Sequence, residues 1–157
     1  MIDINAVKNI EIFENFSDEE LDVFFKNAIE MELREGEILF HEGETGTEMF
    51  IILSGEISIY KELGLNEPKL LITLSEGSFL GEMSLIDKSP RSAMVRAGES
   101  NVRMVVFSRG YLEALGASYP DIVYKFMLNI IKISAQRSRL TTERLISSRQ
   151  TLDNINQ

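Results

Sequence analysis

The feature that most constrains this chain is a series of short β-rich segments separated by glycines, between Glu37 and Ser108. The segments read "EILFH", "EMFIILS", "EISIYKE", "KLLITL", "SAMVRA" and "VRMVVFS". Glycines recur in the turns between them. Several short strands at a spacing of roughly 8–12 residues are typical of a β-sandwich or a β-barrel. The pattern therefore predicts a mainly β fold.

Two connections in this region have turn signatures of different kinds. The segment "LSGEI", Leu53–Ile57, has a glycine at its centre. Because glycine adopts a positive φ without steric strain, we expect a tight hairpin turn at Gly55. The segment "ELGLNEPK", Glu62–Lys69, is longer and polar, and it predicts a looser, exposed hairpin loop.

A helix precedes the β-rich region. Ser17 and Glu20 have the spacing of a capping box, and apolar residues follow at helical intervals. We expect an amphipathic helix from about Ser17 to Ala28.

Two helices follow the β-rich region. Ser108 is placed to cap a short helix that ends at Gly116. Pro120 and Asp121 suit the first turn of a second helix, which is predicted from about residue 119 to about residue 150. A helix of that length cannot be buried against one small barrel, so its distal half must be solvated or packed on a partner. The chain thus divides into a helical segment (1–30), a β region (31–110) and C-terminal helices (111–157).

Charge and composition exclude several classes of protein. Residues 1–110 carry a net charge of −11 and residues 111–157 a net charge of +2. An acidic body argues against nucleic acid as a partner, because phosphate backbones require clustered Lys and Arg.

The chain has no Cys and a single His, His41, so we expect no disulfide and no metal site. It shows neither a signal-peptide pattern nor an apolar run of about 20 residues, and we expect a cytoplasmic protein with no membrane partner.

The stretch "SFLGEMSLIDKSPRSAMVRAG", residues 78–98, places groups that suit a small anion with a sugar attached. Arg91 offers a fork of donors to a phosphate, and Ser92 adds a hydroxyl. Gly81 allows the backbone to approach closely. Glu82 can accept the hydrogen of a ribose hydroxyl, provided that Arg91 lies beside it and offsets its charge.

This stretch resembles the phosphate-binding cassette of the cyclic nucleotide-binding domain family, found in bacterial catabolite activators, protein kinase A regulatory subunits and cyclic nucleotide-gated channels. The resemblance covers roughly residues 10–150, and the upstream "REGEILFHEGETGTEMFIILSGEISIY" matches the glycine-punctuated strands of that fold. The cassette itself spans residues 78–93. Its matching residues are Gly81, Glu82, Met83, Ser84, Leu85, Pro90, Arg91, Ser92 and Ala93.

The resemblance implies an α+β fold: a double-stranded β-helix or jelly roll, with an N-terminal helix and a long C-terminal helix that covers the nucleotide. It also implies a role for each site residue. Glu82 holds the ribose, while Arg91, Ser92 and the amides near Met83, Ser84 and Ala93 hold the phosphate. Gly81 opens the cassette, Ile72 and Leu74 lie on a strand facing the pocket, and Thr141 and Thr142 bind the base, one of them from the opposite subunit.

The function implied is a non-enzymatic sensor of cAMP that responds by moving its C-terminal helix. Ser92 favours cAMP, since Thr at that position often accompanies cGMP preference in the family. Three alternatives stay open: cGMP as ligand, a cyclic dinucleotide as ligand, or a degenerate module that binds no nucleotide and serves protein interaction or oligomerisation.

The final helix predicts a homodimer, with a possible further protein effector. Its apolar positions Met127, Ile130 and Ile131 are followed by a polar middle and then by Leu145. Such a seam is too polar for an autonomous coiled coil but suits one completed by ligand. In catabolite activators a DNA-reading domain follows this helix; the present sequence ends at Gln157, so we expect no such domain in this chain.

Overall fold

Eight antiparallel strands form two four-stranded sheets in the computed structural model, which describes residues 2–62, 64 and 67–155, with side chains as far as residue 150. The first sheet has the order β1-β8-β3-β6 and the second the order β2-β7-β4-β5. The strands are β1 (Ile29–Leu33), β2 (Ile38–Phe40), β3 (Glu48–Ser54), β4 (Ile57–Lys61), β5 (Lys69–Leu74), β6 (Phe79–Leu80), β7 (Met94–Ala97) and β8 (Val102–Ser108). This β-roll with flanking helices confirms the predicted fold class.

Helices flank the sheets at both ends of the chain and inside the cassette. They are α1 (Ile4–Val7), α2 (Asp18–Phe25), α3 (Glu82–Asp87), α4 (Arg109–Ser118) and α5 (Pro120–Ile155), with one 3-10 turn at Glu11–Phe13. The capping box of α2 is confirmed: Ser17 Oγ accepts from the Glu20 N–H, and Glu20 Oε2 accepts from the Ser17 N–H. The Ser108 cap of α4 is confirmed as well, since its Oγ accepts from the Tyr111 N–H.

Two cores share the first sheet. One fills the space between the two sheets, and its largest fully buried side chains include Ile52, Ile57 and Met104. The other lies on the opposite face of the first sheet, against the helices. Because β3 is covered on both faces, its central residues 49–52 are all buried, which accounts for the unbroken apolar run "MFII" in the sequence.

The helical core is built around aromatic rings. Phe24 lies 4.6 Å from Phe126 and 5.1 Å from Phe107, centroid to centroid, and Phe13 stacks on Phe126 at 5.9 Å. Such pairs contribute about 0.5–1.5 kcal/mol each beyond the area they bury. The rings join the N-terminal segment, the last strand and the long helix into one packed unit.

The turn at Gly55 differs from the predicted hairpin. Gly55 has φ +85°, as expected, but β3 and β4 belong to different sheets and do not pair. An added Cβ at Gly55 would lie 2.5 Å from the Asn101 carbonyl oxygen, so glycine is needed there for a crossing between sheets. The hairpin predicted around 62–69 does exist: β4 pairs with β5 from Ile57↔Leu74 to Lys61↔Lys69. Three residues of its loop, 63, 65 and 66, lie outside the described residues.

Several element boundaries also differ from the prediction. Helix α2 ends at Phe25, and β1 follows at Ile29, where no strand was predicted. In β1 only Leu33 is buried, but Ile29, Met31 and Leu33 alternate with glutamates, and this period-2 pattern is a strand signal that the prediction missed; the strand pairs with β8. Helix α4 continues through Gly116 to Ser118, because Gly116 does not adopt the positive φ that would end the helix, and the Tyr119 N–H still donates to the Leu115 carbonyl.

The long helix α5 has a half that is packed against the body and a half that is exposed. Its 36 residues correspond to about 54 Å. In the first half, Lys125 binds the Asn15 carbonyl and Glu20, Asn129 donates to the Ile12 and Glu14 carbonyls, and Ile122, Phe126, Ile130 and Ile133 are buried. Residues 138–150 are all exposed. Within the described chain, no helix combines the length and apolarity needed to cross a membrane.

Candidate functional site

A cavity of about 420 Å³ lies between the second sheet, the cassette and the long helix. Ten of the eleven residues predicted for the site line it, which leaves Thr142 outside. The ten are Ile72, Leu74, Gly81, Glu82, Met83, Ser84, Arg91, Ser92, Ala93 and Thr141. The structure thus brings together residues that are up to 69 positions apart in the sequence.

The helix of the cassette is preceded by a glycine whose conformation and lack of a side chain are both needed. Gly81 has φ +82° and precedes the short helix α3. A Cβ added to it would lie 2.8 Å from Arg91 Nη1 and 2.8 Å from the Glu48 carbonyl oxygen. Any other residue would therefore displace the guanidinium or the edge of β3.

Arg91 is buried in a cradle of specific contacts, with 5% of its surface exposed. Its Nη1 donates to the Glu48 carbonyl at 2.8 Å, and its Nη2 lies 3.3 Å from Glu48 Oε2. Its guanidinium carbon lies 4.3 Å from the centroid of the Phe40 ring and 5.7 Å from that of Phe50. A Cβ added to Gly46 would come within 2.4 Å of Nη2. The guanidinium is therefore fixed before any ligand arrives.

Burial lowers the pKa of Arg91 from its ordinary value, while the carboxylates of Glu48 and Glu44 raise it. An arginine starts from a pKa so high that it keeps its charge at neutral pH. The cavity thus holds a permanent, partly desolvated cation on a rigid support, which is the arrangement that binds a phosphate.

Glu82 lies at the other side of the cassette opening, on the first turn of α3. Burial raises the pKa of its carboxyl group, and the charge of Arg137 opposes that rise. A backbone hydrogen bond at Glu82 also opposes the rise in pKa, but burial has the largest influence, so the ionised form remains disfavoured. A ligand hydroxyl that donates a hydrogen bond to the Glu82 carboxylate would stabilise its ionised form.

Arg137 is a site residue that the sequence analysis did not identify. Its guanidinium stacks on the Phe79 ring at 4.3 Å and donates to the Phe79 carbonyl at 3.3 Å, and it lines the cavity. A signal was present in the sequence, since Arg137 lies one helical turn before Thr141 and shares its face. Leu140 and Arg144 line the cavity from the same helix.

The two threonines predicted to read the base occupy different positions. Thr141 lines the cavity and Thr142 does not. Both hydroxyls donate to the backbone one turn earlier, Thr141 to the Arg137 carbonyl at 2.9 Å and Thr142 to the Ser138 carbonyl at 3.1 Å. Each hydroxyl oxygen still has acceptor capacity. Within one chain, only Thr141 can face a ligand in this cavity.

Among the residues that the structure describes, no group of three or more His, Asp or Glu side chains is arranged to hold a metal ion.

Comparisons with known proteins agree with this geometry. The cyclic nucleotide-binding domain family matches residues 30–119. Human cGMP-dependent protein kinase 2 is 29% identical over 107 residues, which are 67% of this chain and 14% of the kinase. The cyclic AMP receptor protein of Thermus thermophilus is 26% identical over 133 residues, which are 85% of this chain and 59% of the relative. The chain therefore spans less than two thirds of the length of these curated relatives.

A solved structure gives the same result for the whole fold. A cyclic nucleotide-binding domain from Methylobacillus flagellatus superimposes with a TM-score of 0.82 at 27% identity, covering 92% of this chain and 81% of that one. The family match extends over more than half of the sequence, and it includes the cassette and both of the sheets. The chain belongs to the cyclic nucleotide-binding domain family.

Proposed function

We propose that this protein is a non-enzymatic, cytoplasmic sensor whose cavity binds a cyclic nucleotide, with cAMP preferred. The observation that carries the proposal is the buried Arg91 facing the same cavity as Glu82, in the cassette of a family defined by this kind of ligand. A cyclic nucleotide has one phosphate charge and one free ribose hydroxyl. The cavity offers one fixed cation and one acidic acceptor for those two groups.

The phosphate is assigned to Arg91, Ser92 and the adjoining amides. Ser92 is exposed at the cavity wall, and its hydroxyl is free to turn toward a ligand oxygen. The exocyclic phosphate oxygens would then receive charge-assisted hydrogen bonds, which are roughly twice as strong as neutral ones. The acidic residues elsewhere on the body matter little here, because charges beyond about 8 Å are screened at physiological salt.

The ribose is assigned to Glu82, with Arg137 as its counter-charge. Arg137 stacks on Phe79, and it reaches Glu82 only through the longer-range attraction that opposes the rise in the pKa of Glu82. A ribose hydroxyl bound to Glu82 would favour the ionised carboxylate and draw Arg137 toward it. One ligand would then contact residues of both the β-roll and α5.

The base is assigned to the wall formed by α5 and β5. Thr141, whose hydroxyl hydrogen is bonded to the Arg137 carbonyl, can accept from the amino group of adenine, and Ile72 and Leu74 offer an apolar surface. Together with Ser92, this favours cAMP. The kinase relatives are named for cGMP, so cGMP is the competing ligand to be measured alongside it.

The direct experiment is a thermal-shift and calorimetric titration with cAMP, cGMP and a cyclic dinucleotide. A ligand present at a hundred times its dissociation constant should raise the free energy of unfolding by about 2.7 kcal/mol. We expect the largest stabilisation with cAMP. Stabilisation by none of the three would contradict the proposal and favour a module that acts only in protein interaction.

A homodimer through α5 is the second part of the proposal. Tyr124, Leu128, Ile131 and Leu145 are 66%, 45%, 57% and 67% exposed, and their spacing places them along one stripe of the helix. Thr142 lies on the same stripe, since it follows Ile131 by three helical turns. The prediction that Ile130 belongs to this seam is wrong, because its side chain is buried in the core. The stripe supports a parallel pairing of two α5 helices.

Pairing along this stripe would point Thr142 away from its own cavity and toward that of the partner. An Ile131→Asp variant should weaken the dimer about a hundredfold, because each copy loses a buried apolar contact and gains a charge. Sedimentation measurements would show it, with Gln136→Asp as a control on another face of the helix. A wild-type chain that sediments as a monomer at millimolar concentration with ligand would contradict this part of the proposal.

The output of the sensor is assigned to the exposed half of α5. Residues 138–150 are all exposed, and one face of this half, with Leu140, Thr141 and Arg144, lines the cavity next to Arg137. Ligand contacts with that face would favour one docking of the helix, by no more than the difference in affinity between the two states. An effector protein could read the resulting surface.

A further inference from the structure

The end of strand β4 reaches the cassette through one side chain. Lys61 Nζ donates to the Ser92 carbonyl oxygen at 2.7 Å and to Glu42 Oε1 at 2.5 Å. Lys61 does not line the cavity, whereas Ser92 does. The ammonium therefore holds the cassette from the side opposite to the ligand.

The ammonium is itself held in place. Glu42 Oε2 accepts a hydrogen bond from the Glu62 N–H at 3.2 Å, so the carboxylate bridges the lysine and the backbone that follows it. The hydrogen bonds from Lys61 and from that backbone group lower the pKa of Glu42. The side chains of Lys61 and Glu42 are 35% and 26% exposed. The lysine is thus a fixed donor, in contrast to a freely moving surface cation.

Peptide geometry transmits this contact to the cavity. The Ser92 carbonyl and the Ala93 N–H belong to one planar trans peptide, in which the C=O and N–H bonds point in opposite directions. Fixing the oxygen toward Lys61 therefore turns the N–H away from Lys61, toward the cavity that Ala93 lines. A cation on the oxygen also polarises the amide and makes its N–H a stronger donor.

The Ala93 N–H has no acceptor among the described residues. Ala93 is 8% exposed, yet its N–H donates no hydrogen bond to another of the described residues. Buried backbone donors in native proteins are nearly always paired. An unpaired donor in the wall of a cavity that already contains a buried guanidinium indicates that an anionic ligand supplies the acceptor.

The neighbouring backbone is fixed by separate contacts. The Arg91 N–H donates to the Glu44 carbonyl and the Gly43 N–H donates to the Arg91 carbonyl, each at 2.8 Å. These bonds hold the peptides on either side of Arg91 but do not reach the Ser92–Ala93 peptide. Lys61 is the contact that sets the orientation of that one unit.

We propose that Lys61, held by Glu42, is a positioning residue of the anion subsite, which aims the Ala93 N–H at one exocyclic oxygen of the bound phosphate. The inference rests on the proposed function and extends it to a residue outside the cavity. It also joins the β4–β5 hairpin to the anion subsite, because Lys61 is the last residue of β4.

The test compares Lys61→Met with wild type in calorimetric titrations with cAMP and with its two phosphorothioate diastereomers, in which sulfur replaces one or the other exocyclic oxygen. Sulfur is a poor acceptor, so each diastereomer removes one set of contacts. We expect Lys61→Met to bind cAMP about tenfold more weakly, since a donor to a charged acceptor is misdirected. We also expect the ratio of the two diastereomer affinities to move toward one.

A purely structural role for Lys61 would weaken both diastereomers equally and leave that ratio unchanged, which would overturn the proposal. Lys69→Met is the matched control, because Lys69 lies directly opposite Lys61 in the β4–β5 register, is exposed, and should have no effect. Lys61→Arg should restore most of the affinity.

If Lys61→Met fails to fold, Glu42→Gln replaces it, because it releases the ammonium without removing it. This variant should shift the ratio in the same direction by a smaller amount, and an unchanged ratio would again overturn the proposal. A wild-type protein that binds no cyclic nucleotide would contradict the proposed function itself. A wild type that binds, together with an unaffected Lys61→Met, would contradict only the role of Lys61.

Discussion

The two ends of the cavity differ in how completely a single chain builds them. At the anion end, Arg91 is buried and held by Glu48, Phe40 and a glycine on either side, at positions 46 and 81. At the base end, the wall on α5 belongs to an exposed half-helix, and the hydroxyls of Thr141 and Thr142 are bonded to their own backbone. One end is organised before a ligand binds, and the other still has to be organised.

This difference assigns separate tasks to the two ends. A preorganised site gives affinity because little entropy is lost on binding. A site that orders on binding gives up part of its affinity, but it converts the binding energy into a change of conformation. We therefore expect substitutions at the anion end to change affinity strongly, and those at the base end to change selectivity and helix docking with a smaller effect on affinity.

The largest effect is expected for Arg91→Ala. Removing the buried cation should weaken cAMP binding by about 2–5 kcal/mol, roughly thirtyfold to several thousandfold. Calorimetric titration would measure it, with circular dichroism to verify the fold. Arg96→Ala is the control, because Arg96 is exposed on β7 and interacts with Tyr60 outside the cavity. A loss below threefold in a folded variant would show that Arg91 is not at the phosphate.

Gly46→Ala should weaken binding about tenfold without removing any ligand contact. Its new methyl group would lie 2.4–2.7 Å from three atoms of the Arg91 guanidinium, so the guanidinium must move. Gly110→Ala is a matched control on α4, where the added Cβ would enter open space beyond the backbone of its own helix. Equal affinity for the two variants would mean that the cradle around Arg91 is more adaptable than its packing indicates.

Glu82→Gln should separate stability from binding. Burial raises the pKa of Glu82, so the ionised form disfavours folding at neutral pH, and this penalty fades as the pH falls and the group becomes protonated. Without ligand, the variant should melt at a higher temperature than wild type at pH 7, and the difference should shrink toward pH 4. Its affinity for cAMP should fall about tenfold, because the neutral amide is a weaker acceptor for the ribose hydroxyl.

Thermal melts across that pH range, with and without cAMP, would measure both effects of Glu82→Gln. Glu76→Gln, at an exposed position in the preceding turn, serves as the control. A variant that is less stable than wild type at pH 7 would show that the carboxylate already has a stabilising partner in the unliganded protein.

The smallest effect on affinity, about threefold, is expected for the threonines. Thr141→Ala should narrow the preference for cAMP over cGMP in any state of association. Thr142→Ala should do so only in the dimer, and its effect should vanish in an Ile131→Asp background. Competition titrations with the two nucleotides would measure both. Equal effects of Thr142→Ala in the two backgrounds would remove the partner subunit from base recognition.

Much of the anion end could be predicted because its signals are local in the sequence. Gly81, Glu82, Arg91 and Ser92 lie within twelve positions of one another, and a turn followed by one short helix brings them together. One missed element, strand β1, did carry a local signal, because its sequence IEMEL alternates apolar and polar residues. The crossing at Gly55 carried none, since it joins strands of different sheets and only their pairing with other strands reveals it.

The contacts that support the site could not be derived from local patterns. The carbonyl of Glu48 reaches Arg91 across 43 positions, Lys61 reaches Ser92 across 31, and Arg137 reaches Phe79 across 58. In the sequence, nothing distinguishes Arg91, Lys61 or Arg137 in these contacts from an ordinary basic residue on the surface. Only the packing of the two sheets and the long helix decides which of them face the cavity.

The sequence by itself determined the mainly β fold, the capped helices and the residues of the cassette, because glycine conformations, apolar periodicity and capping act over a few residues. The tertiary structure alone decided that Arg91 is buried against Glu48, that Arg137 joins the site, and that Thr141 and Thr142 face different directions. The physical reason is that burial and the direction of a side chain depend on elements far apart in the chain, which meet only when the sheets close and the helix packs against them.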